Sequence, residues 1–382
     1  MYVTQEDYAY AVECRRYLHR HPETLFELEN TLRFVRGELD GMGILWSEAG
    51  PSSITAWIGP ENAGTKIGLR ADMDALPIEE QTGLDYASEN AGKMHACGHD
   101  AHTAILLTVA RILKRREGEL KARVKLLFQP SEEGEISGAK SMVDHGAADD
   151  VDFVLATHCD NDVPVGKIGV RAGDYMAACN PITLTFYGKT AHATLPEQGV
   201  DAIAMAWEAY GALQKIAAHE AGENTIYIFG MNYFHGGTAH NVIADQCQLK
   251  ISFRYYDQDF AARVEKQCLA ECRRIAERFG GTVEANWYCS APPVYNDPTL
   301  TARFAQAVEN VMPGQVTQLA LRKSTEDFSW FLQKKPGLLF RFGTRNPETG
   351  CTTLAHCSDF RIDERGMEAA AEAFVSFVLT AQ

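Results

Sequence analysis

Residues 95–102 read HACGHDAH, placing three histidines, one cysteine and one aspartate in eight positions. Cys97 and His99 are separated only by Gly98, so an extended or looped backbone can aim both side chains at one ion. A thiolate is a soft ligand and favours zinc or a similar transition metal over magnesium or calcium. Glu132 and Glu133 form a second reactive pair. One carboxylate can bind an ion while its neighbour turns aside and takes a proton from water that the ion has acidified. A single buried cysteine is usually inert, and adjacent glutamates usually form a solvated face. The combination is more telling than its members, because each member falls at the end of a strand-like run.

Asp72 and Asp74 follow KIGLRAD, Glu132 and Glu133 follow KLLFQPS, His158 closes FVLATH, and His356 comes shortly after GLLFRFG. The carboxyl ends of strands line the ligand crevice of α/β sheets, so these distant residues can converge. His95 and His102 read as supports or packing rather than as extra ligands. His19 and His21 in YLHRHPE read as caps or as the rim of a cleft. His145, His219 and His235 read as ordinary structural histidines.

Strands and helices alternate through the first part of the chain, the pattern of an α/β sheet. Residues 5–41 are helical in pattern up to Gly41. Asp100 suits an N-cap, and Ile105, Val109, Ile112 and Leu113 fall on one face of the helix that follows. The rhythm changes near Pro181. ITLTFYG, a helix over 200–218, TIYIFGMNYF, CQLKISFRYY, a helix over 258–279 and TVEANWY follow in the order β-α-β-β-α-β, the split pattern of a ferredoxin-like unit. Phe260, Val264, Cys268, Cys272 and Ile275 share one face of the second helix. A small α+β domain over 179–293 is therefore expected as an insertion. The host is an α/β mixed-sheet domain, formed by 1–178 and 294–382, with helices on both sheet faces.

The 382 residues suit two domains, and 46% hydrophobic with 23% charged residues is the profile of a folded globular protein. A formal net charge of -15 repels phosphate backbones and anionic lipid, so neither nucleic acid nor a membrane is an expected partner. No run approaches the ~18 apolar residues of a membrane span. The N-terminal stretch lacks the apolar core of a signal peptide. Ten cysteines are scattered without a CxxC pair, which reads as reduced thiols in a cytoplasmic protein.

These residues and their surroundings resemble the aminoacylase/carboxypeptidase metallohydrolase family, in the amidohydrolase branch of hippurate hydrolases, auxin-conjugate hydrolases and N-acetyl-diaminopimelate deacetylases. The matching stretches are LHRHPE, LRADMDALPIEE, MHACGHDAHTA, FQPSEEG, VGKIGVRAGDYMAA, GKTAHATLPEQGVDAI, GGTAHNVIADQCQLKISFR, TEDFSWF and LAHCSDF. They cover nearly the whole chain in order. The resemblance implies two divalent metal ions bridged by Cys97, with His99, Glu133, His158 and His356 completing the ligands. Zinc is expected, with manganese, cobalt and nickel as alternatives. Glu132 would be the general base and Asp74 would orient the site. Asp72 stands where other branches carry a metal-binding histidine.

By the same resemblance, the inserted domain would act as a lid and make a homodimer or a higher homo-oligomer. His192 would reach the partner's site to stabilise the oxyanion there. Asn241 and Arg254 would contact the substrate, Arg254 through its carboxylate, a task suited to a bidentate guanidinium. Ala244 stands where proline is usual, and Cys159 follows His158 where a small apolar residue is usual. The implied reaction is amide hydrolysis of an N-acyl amino acid. A dipeptidase or carboxypeptidase of the same family is the nearer alternative. The more distant ones are a hydrolase using Cys97 as nucleophile with His99 as its base, and a non-catalytic binding relative.

Overall fold

Thr4 starts the first helix, α1 (Gln5–Arg20), with a reciprocal capping box: its side chain accepts from the Asp7 N–H while Asp7 accepts from the Thr4 N–H. The computed structural model describes residues 1–380, so the last two residues of the expected 294–382 segment lie outside the described residues. The continuous helix expected over 5–41 is broken, since α1 stops at Arg20 and α2 spans Glu29–Gly41. Pro22 has no N–H to donate, and it pushes His21 out of the helical region to φ −121° and ψ 52°.

The chain continues through β1 (Trp46–Ser47), β2 (Ile54–Ile58), β3 (Thr65–Asp72), α3 (His99–Arg115), β4 (Ala122–Gln129), α4 (Gly138–Asp144), β5 (Phe153–Pro164), β6 (Ile168–Val170) and β7 (Gly173–Met176). It then runs through β8 (Ala178–Tyr187), α5 (Ala202–Glu220), β9 (Tyr227–Gly236), β10 (Gln246–Tyr255), α6 (Gln258–Phe279) and β11 (Thr282–Trp287). The last elements are β12 (Val294–Asn296), α7 (Pro298–Val311), β13 (Val316–Gln318), α8 (Ser329–Leu332), β14 (Gly337–Arg345) and α9 (Arg365–Thr380).

Two compact units result. The first comprises Met1–Tyr175, Val294–Leu321 and Glu326–Gln382. Its eight-stranded mixed sheet has the order β1-β2-β4-β3-β5-β14-β6-β13. The pairs β4/β3, β3/β5 and β5/β14 at its centre are parallel. Most of their residues are buried, with apolar runs such as Leu126–Phe128 and Leu338–Phe340, as parallel strands require. Helix α3 packs on α1, α9 and β3. The single stripe expected for it understates its burial, because Ala101, Ala104, Leu106, Leu107 and Ala110 are buried as well. Asp100 is not its N-cap. Gly98 holds that position at φ +83°, and Asp100 sits in the first turn against Arg15 Nε at 3.1 Å and His19 Nδ1 at 2.7 Å. His19 is thus fully buried rather than on a rim, while His21 Nδ1 donates to the Tyr17 carbonyl at the end of α1.

The second unit comprises Met176–Pro293 and Arg322–Thr325. It begins at Met176 rather than at 179, because the Ala177 N–H donates to the Arg322 and Ser324 carbonyls and draws that short segment in. Its sheet is antiparallel with the order β11-β8-β10-β9, and α5 and α6 pack together. The stripe Phe260, Val264, Cys268, Cys272 and Ile275 on α6 is buried. Burying each large apolar side chain contributes about 1.5–3 kcal/mol. The helix ends on Gly280 at φ +80°, a left-handed cap that a side chain would strain.

Candidate active site

In the first unit, strand ends and loops place the expected groups together. Asp74, two residues past β3, accepts the Glu132 N–H at 2.9 Å on Oδ1 and the Glu133 N–H at 3.1 Å on Oδ2. One buried carboxylate thereby fixes the turn after β4. Gly98 carries the backbone from Cys97 into α3, and a Cβ there would lie 2.5 Å from the Cys159 Sγ, so glycine is required on both dihedral and steric grounds. The His356 N–H donates to the Ala96 carbonyl at 2.8 Å, which ties its loop to the cysteine segment. His356 itself adopts φ +70°, the strained left-handed region often found at functional sites.

The hydrogen bonds also set tautomers. His99 Nδ1 lies 2.8 Å from the Asp74 carbonyl, and His158 Nδ1 lies 2.8 Å from the Cys159 carbonyl. A carbonyl only accepts, so each Nδ1 donates. Each Nε2 is left to face the cluster, His158 Nε2 standing 3.4 Å from Cys97 Sγ. His356 Nε2 approaches Glu133 Oε1 at 3.2 Å.

Metal-binding character follows from the donors. The ligand atoms of Cys97, His99 and His158 lie within 4.8 Å of one another, and so do those of Cys97, Glu133 and His356. His99 Nε2 is buried without a hydrogen-bond partner. Such orphaned lone pairs are costly unless a cation takes them up. Burial, followed by the Glu133 charge, pushes the Cys97 thiol well above its usual range, so a thiolate there needs a cation. Burial holds His158 well below the usual imidazole range and therefore neutral, as a ligand must be. Burial disfavours the His99 cation, yet Asp72 and Cys97 push this group well above its usual range, so an ion binding there displaces a proton. Burial first, then the charges of Glu326, Glu133 and Asp327, push Glu132 well above the usual carboxylate range. These residues fit a metal centre with a proton-accepting carboxyl beside it.

A polar layer behind these groups was only partly visible in the sequence. Arg70 is fully buried; it donates to Asp72 Oδ2 at 2.6 Å, Gln129 Oε1 at 2.8 Å and Asp327 Oδ1 at 3.0 Å. Glu326 Oε1 also lies 3.0 Å from it. Asp327 accepts from Ser137 and from the Ala139 N–H, which anchors α4 to the same layer. Charged Arg70 and Asp72 two apart in a buried strand, and Glu326-Asp327 in TEDF, were the available signals. His102 and Asp72 bond to each other in this layer, at 2.6 Å.

The other three expected residues belong to the second unit. His192 is exposed, with Nδ1 2.8 Å from Thr194 Oγ1. Its loop lies beside that of Asn241, since the Ala193 N–H donates to the Asn241 carbonyl at 3.0 Å. Arg254, on β10, donates to the Lys323 carbonyl at 3.0 Å and to Thr325 Oγ1 at 3.2 Å. His145, His219 and His235 take no part in the cluster. Among the described residues no helix is long and apolar enough to cross a membrane.

A mixed α/β unit that brings Cys, His and Glu donors together has the make-up of a metal-dependent hydrolase. The chain belongs to the Peptidase family M20/M25/M40, whose model matches residues 68–380. It is 37% identical over 331 residues to the N-acetyl-L-cysteine deacetylase of Bacillus subtilis, covering 86% of this chain and 79% of that one. It is 32% identical over 357 residues to thermostable carboxypeptidase 1 of Saccharolobus solfataricus, covering 92% and 90%. The solved structure of the Bacillus subtilis YXEP protein, described as a dinuclear metal binding peptidase from the M20 family, superposes with a TM-score of 0.84 at 30% identity and covers 98% of both chains.

Proposed function

We propose that this hydrolase is a dinuclear amidohydrolase that cleaves N-acyl amino acids, or related small amides with a free carboxylate, to a carboxylic acid and an amino acid. The observation that carries the reading is Cys97, which belongs to two donor triads, one with His99 and His158 and one with Glu133 and His356. Two divalent ions held there, zinc first and manganese, cobalt or nickel as alternatives, would polarise the amide carbonyl and acidify water. Glu132 accepts the proton of the attacking water, favoured by its raised proton affinity, and delivers it to the departing amine. Asp74 keeps both glutamates in register through their N–H groups.

On the motif match, the second unit makes a homodimer, His192 of the second copy stabilises the oxyanion, Asn241 contacts the substrate and Arg254 takes its carboxylate. Ten unpaired thiols suit a reducing, cytoplasmic setting. The similarity to a deacetylase supports the acyl substrate, and the similarity to a carboxypeptidase keeps a peptidase as the second reading. A cysteine nucleophile is disfavoured, because that chemistry requires a depressed thiol pKa and Cys97 is shifted upward.

The test is hydrolysis of N-acetyl, N-benzoyl and longer N-acyl amino acids alongside free dipeptides, before and after chelation and with zinc or manganese restored. Chelator-sensitive release of amino acid from the acylated set is expected. Turnover of dipeptides alone would move the assignment to a peptidase. Activity that survives chelation but not thiol alkylation would overturn the metal reading.

A further inference from the structure

The pairing of β3 with β5 runs from Ile67 opposite Phe153 to Arg70 opposite Ala156 and ends there. Beyond that point the strands part, and the Cys159 N–H has no strand partner on the β3 side. Helix α3 fills the gap. Thr103 Oγ1 donates to the Asp72 carbonyl at 2.8 Å, and His102 Nε2 lies 2.9 Å from the Cys159 N–H. A backbone amide only donates, so Nε2 of His102 carries no proton. Its other nitrogen, Nδ1, is 2.6 Å from Asp72 Oδ1, so it donates there. Asp72 is in turn fixed by Arg70 at 2.6 Å on its second oxygen. Both nitrogens of His102 are therefore committed, although its ligand atoms lie within 4.8 Å of those of His158 and Cys159 and of those of Asp72 and His99.

The Cys159 carbonyl accepts from His158 Nδ1 at 2.8 Å, and Arg341 Nη1 also approaches it at 3.4 Å. The residue whose N–H is held by His102 is thus the residue whose carbonyl aims the His158 ring. We propose that His102 is a positioning residue and not a metal ligand. It is a neutral Nδ1–H imidazole that joins the Arg70–Asp72 pair to the Cys159 N–H across the gap between β3 and β5, and so holds His158 Nε2 toward Cys97. The inference rests on the metal-hydrolase reading for its consequence but not for its structural core. Asp72 serves as the anchor of that link.

Two measurements test it, and only one needs metal. In metal-free protein, two-bond nitrogen–proton correlation spectra of the histidine rings are expected to show His102 with Nδ1 protonated and Nε2 bare. The signal is assigned by its loss in His102→Gln and by its shift in Asp72→Asn, so either variant suffices if the other fails to fold. A doubly protonated ring, or one protonated at Nε2, overturns the proposal whatever the protein binds.

The second measurement is a cobalt(II) titration of metal-free protein, followed by thiolate-to-metal absorption. His102→Phe is expected to weaken binding by about 10–100-fold, the usual effect of losing a group that orients a ligand, with the number of ions bound unchanged. His102→Gln, whose amide oxygen can still accept from the Cys159 N–H, is expected to recover part of that loss. A reduced number of ions in both variants would make His102 a ligand and overturn the proposal. Unchanged affinity in His102→Phe would overturn the positioning role. Wild-type protein that binds no cobalt would instead refute the metal-hydrolase reading, leaving the tautomer measurement to decide the link itself.

Discussion

The two units hold their candidate functional groups in opposite ways. In the first, Asp72, Asp74, His99 and His102 are at most 1% exposed, and their hydrogen bonds come from backbone or from other buried side chains; His356, whose ring is exposed, is the exception. In the second, His192 and Asn241 are exposed, and the His192 ring bonds to the Thr194 hydroxyl, two residues away. The first arrangement is set by folding itself, at the cost of burying charge. The second leaves its groups free to take their final positions from whatever docks against them. Preorganisation suits an ion with strict coordination geometry, and exposed loops suit contacts that form and break in each turnover.

The strongest way to break this contrast is at Glu132. Glu132→Gln keeps the shape and removes the base, so amide hydrolysis is expected to fall by about 10²–10⁴-fold or more. Metal content measured by elemental analysis should stay the same, because Glu133 and the other donors are untouched. Hydrolysis near the wild-type rate would remove Glu132 from the mechanism.

Next in size is the charge layer beneath the site. Arg70 compensates Asp72, Glu326 and Asp327, all buried. Arg70→Met strands those carboxylates, and breaking a buried pair from one side costs about 3–5 kcal/mol. Urea unfolding of metal-free protein should show a loss of that order. Burial already pushes Asp327 up to about 7, offset only in part by Arg70, so this carboxyl can escape by taking a proton. The loss should therefore be larger above about pH 7 than below it. A loss under about 1 kcal/mol at both would mean that Arg70 compensates little.

The exposed half is tested by His192→Ala. Removing one oxyanion donor typically lowers kcat by about 10²–10³-fold. Because His192 is exposed and lightly bonded, the melting temperature should hardly move. If the proposed dimer shares its sites, mixing His192→Ala with inactive Glu132→Gln protein should restore part of the activity once subunits exchange, since one site of each mixed dimer would then have both groups intact. No recovery despite exchange confirmed by mass spectrometry would confine His192 to its own subunit or remove it from catalysis.

The clustered residues were legible because their chemistry is rare, although His158 lies within β5, which runs on to Pro164, rather than at a strand end, and Cys97 and His99 lead into α3. Cys97, His99, Glu133, His158 and His356 do come together, and α6 was legible to the residue from its apolar stripe and Gly280. What failed has local causes. A helical pattern over 5–41 hid the break at Pro22, and Asp100 resembled an N-cap while its partners, Arg15 and His19, lie far away in sequence. The short strands β6, β7, β12 and β13 carry too few residues to show a period. The layer built on Arg70 depends on pairing β3 with β4 and with the segment at Glu326-Asp327, which spacing along one chain cannot reveal.

The smallest expected effect lies away from the site, at the start of α1, and asks whether burial of charge matters equally outside it. Burial alone would raise the Asp7 carboxyl, but hydrogen bonds from Arg115 at 2.8 and 3.0 Å and from Thr4 bring it down to about 2 from 3.8. The folded state therefore prefers Asp7 ionised. That contribution is fully present above about pH 4 and is lost as pH falls through about 2. Arg115 is 45% exposed, so the pair is screened and worth at most about 1 kcal/mol. Asp7→Asn should lower unfolding stability by that small amount at neutral pH, with a constant gap down to about pH 4 that closes toward pH 2. A gap that persists at about pH 2 would assign the effect to the capping hydrogen bonds of Thr4 rather than to charge. The contrast between ionised groups buried around the candidate site and hydrogen-bonded ones elsewhere would then be sharper still.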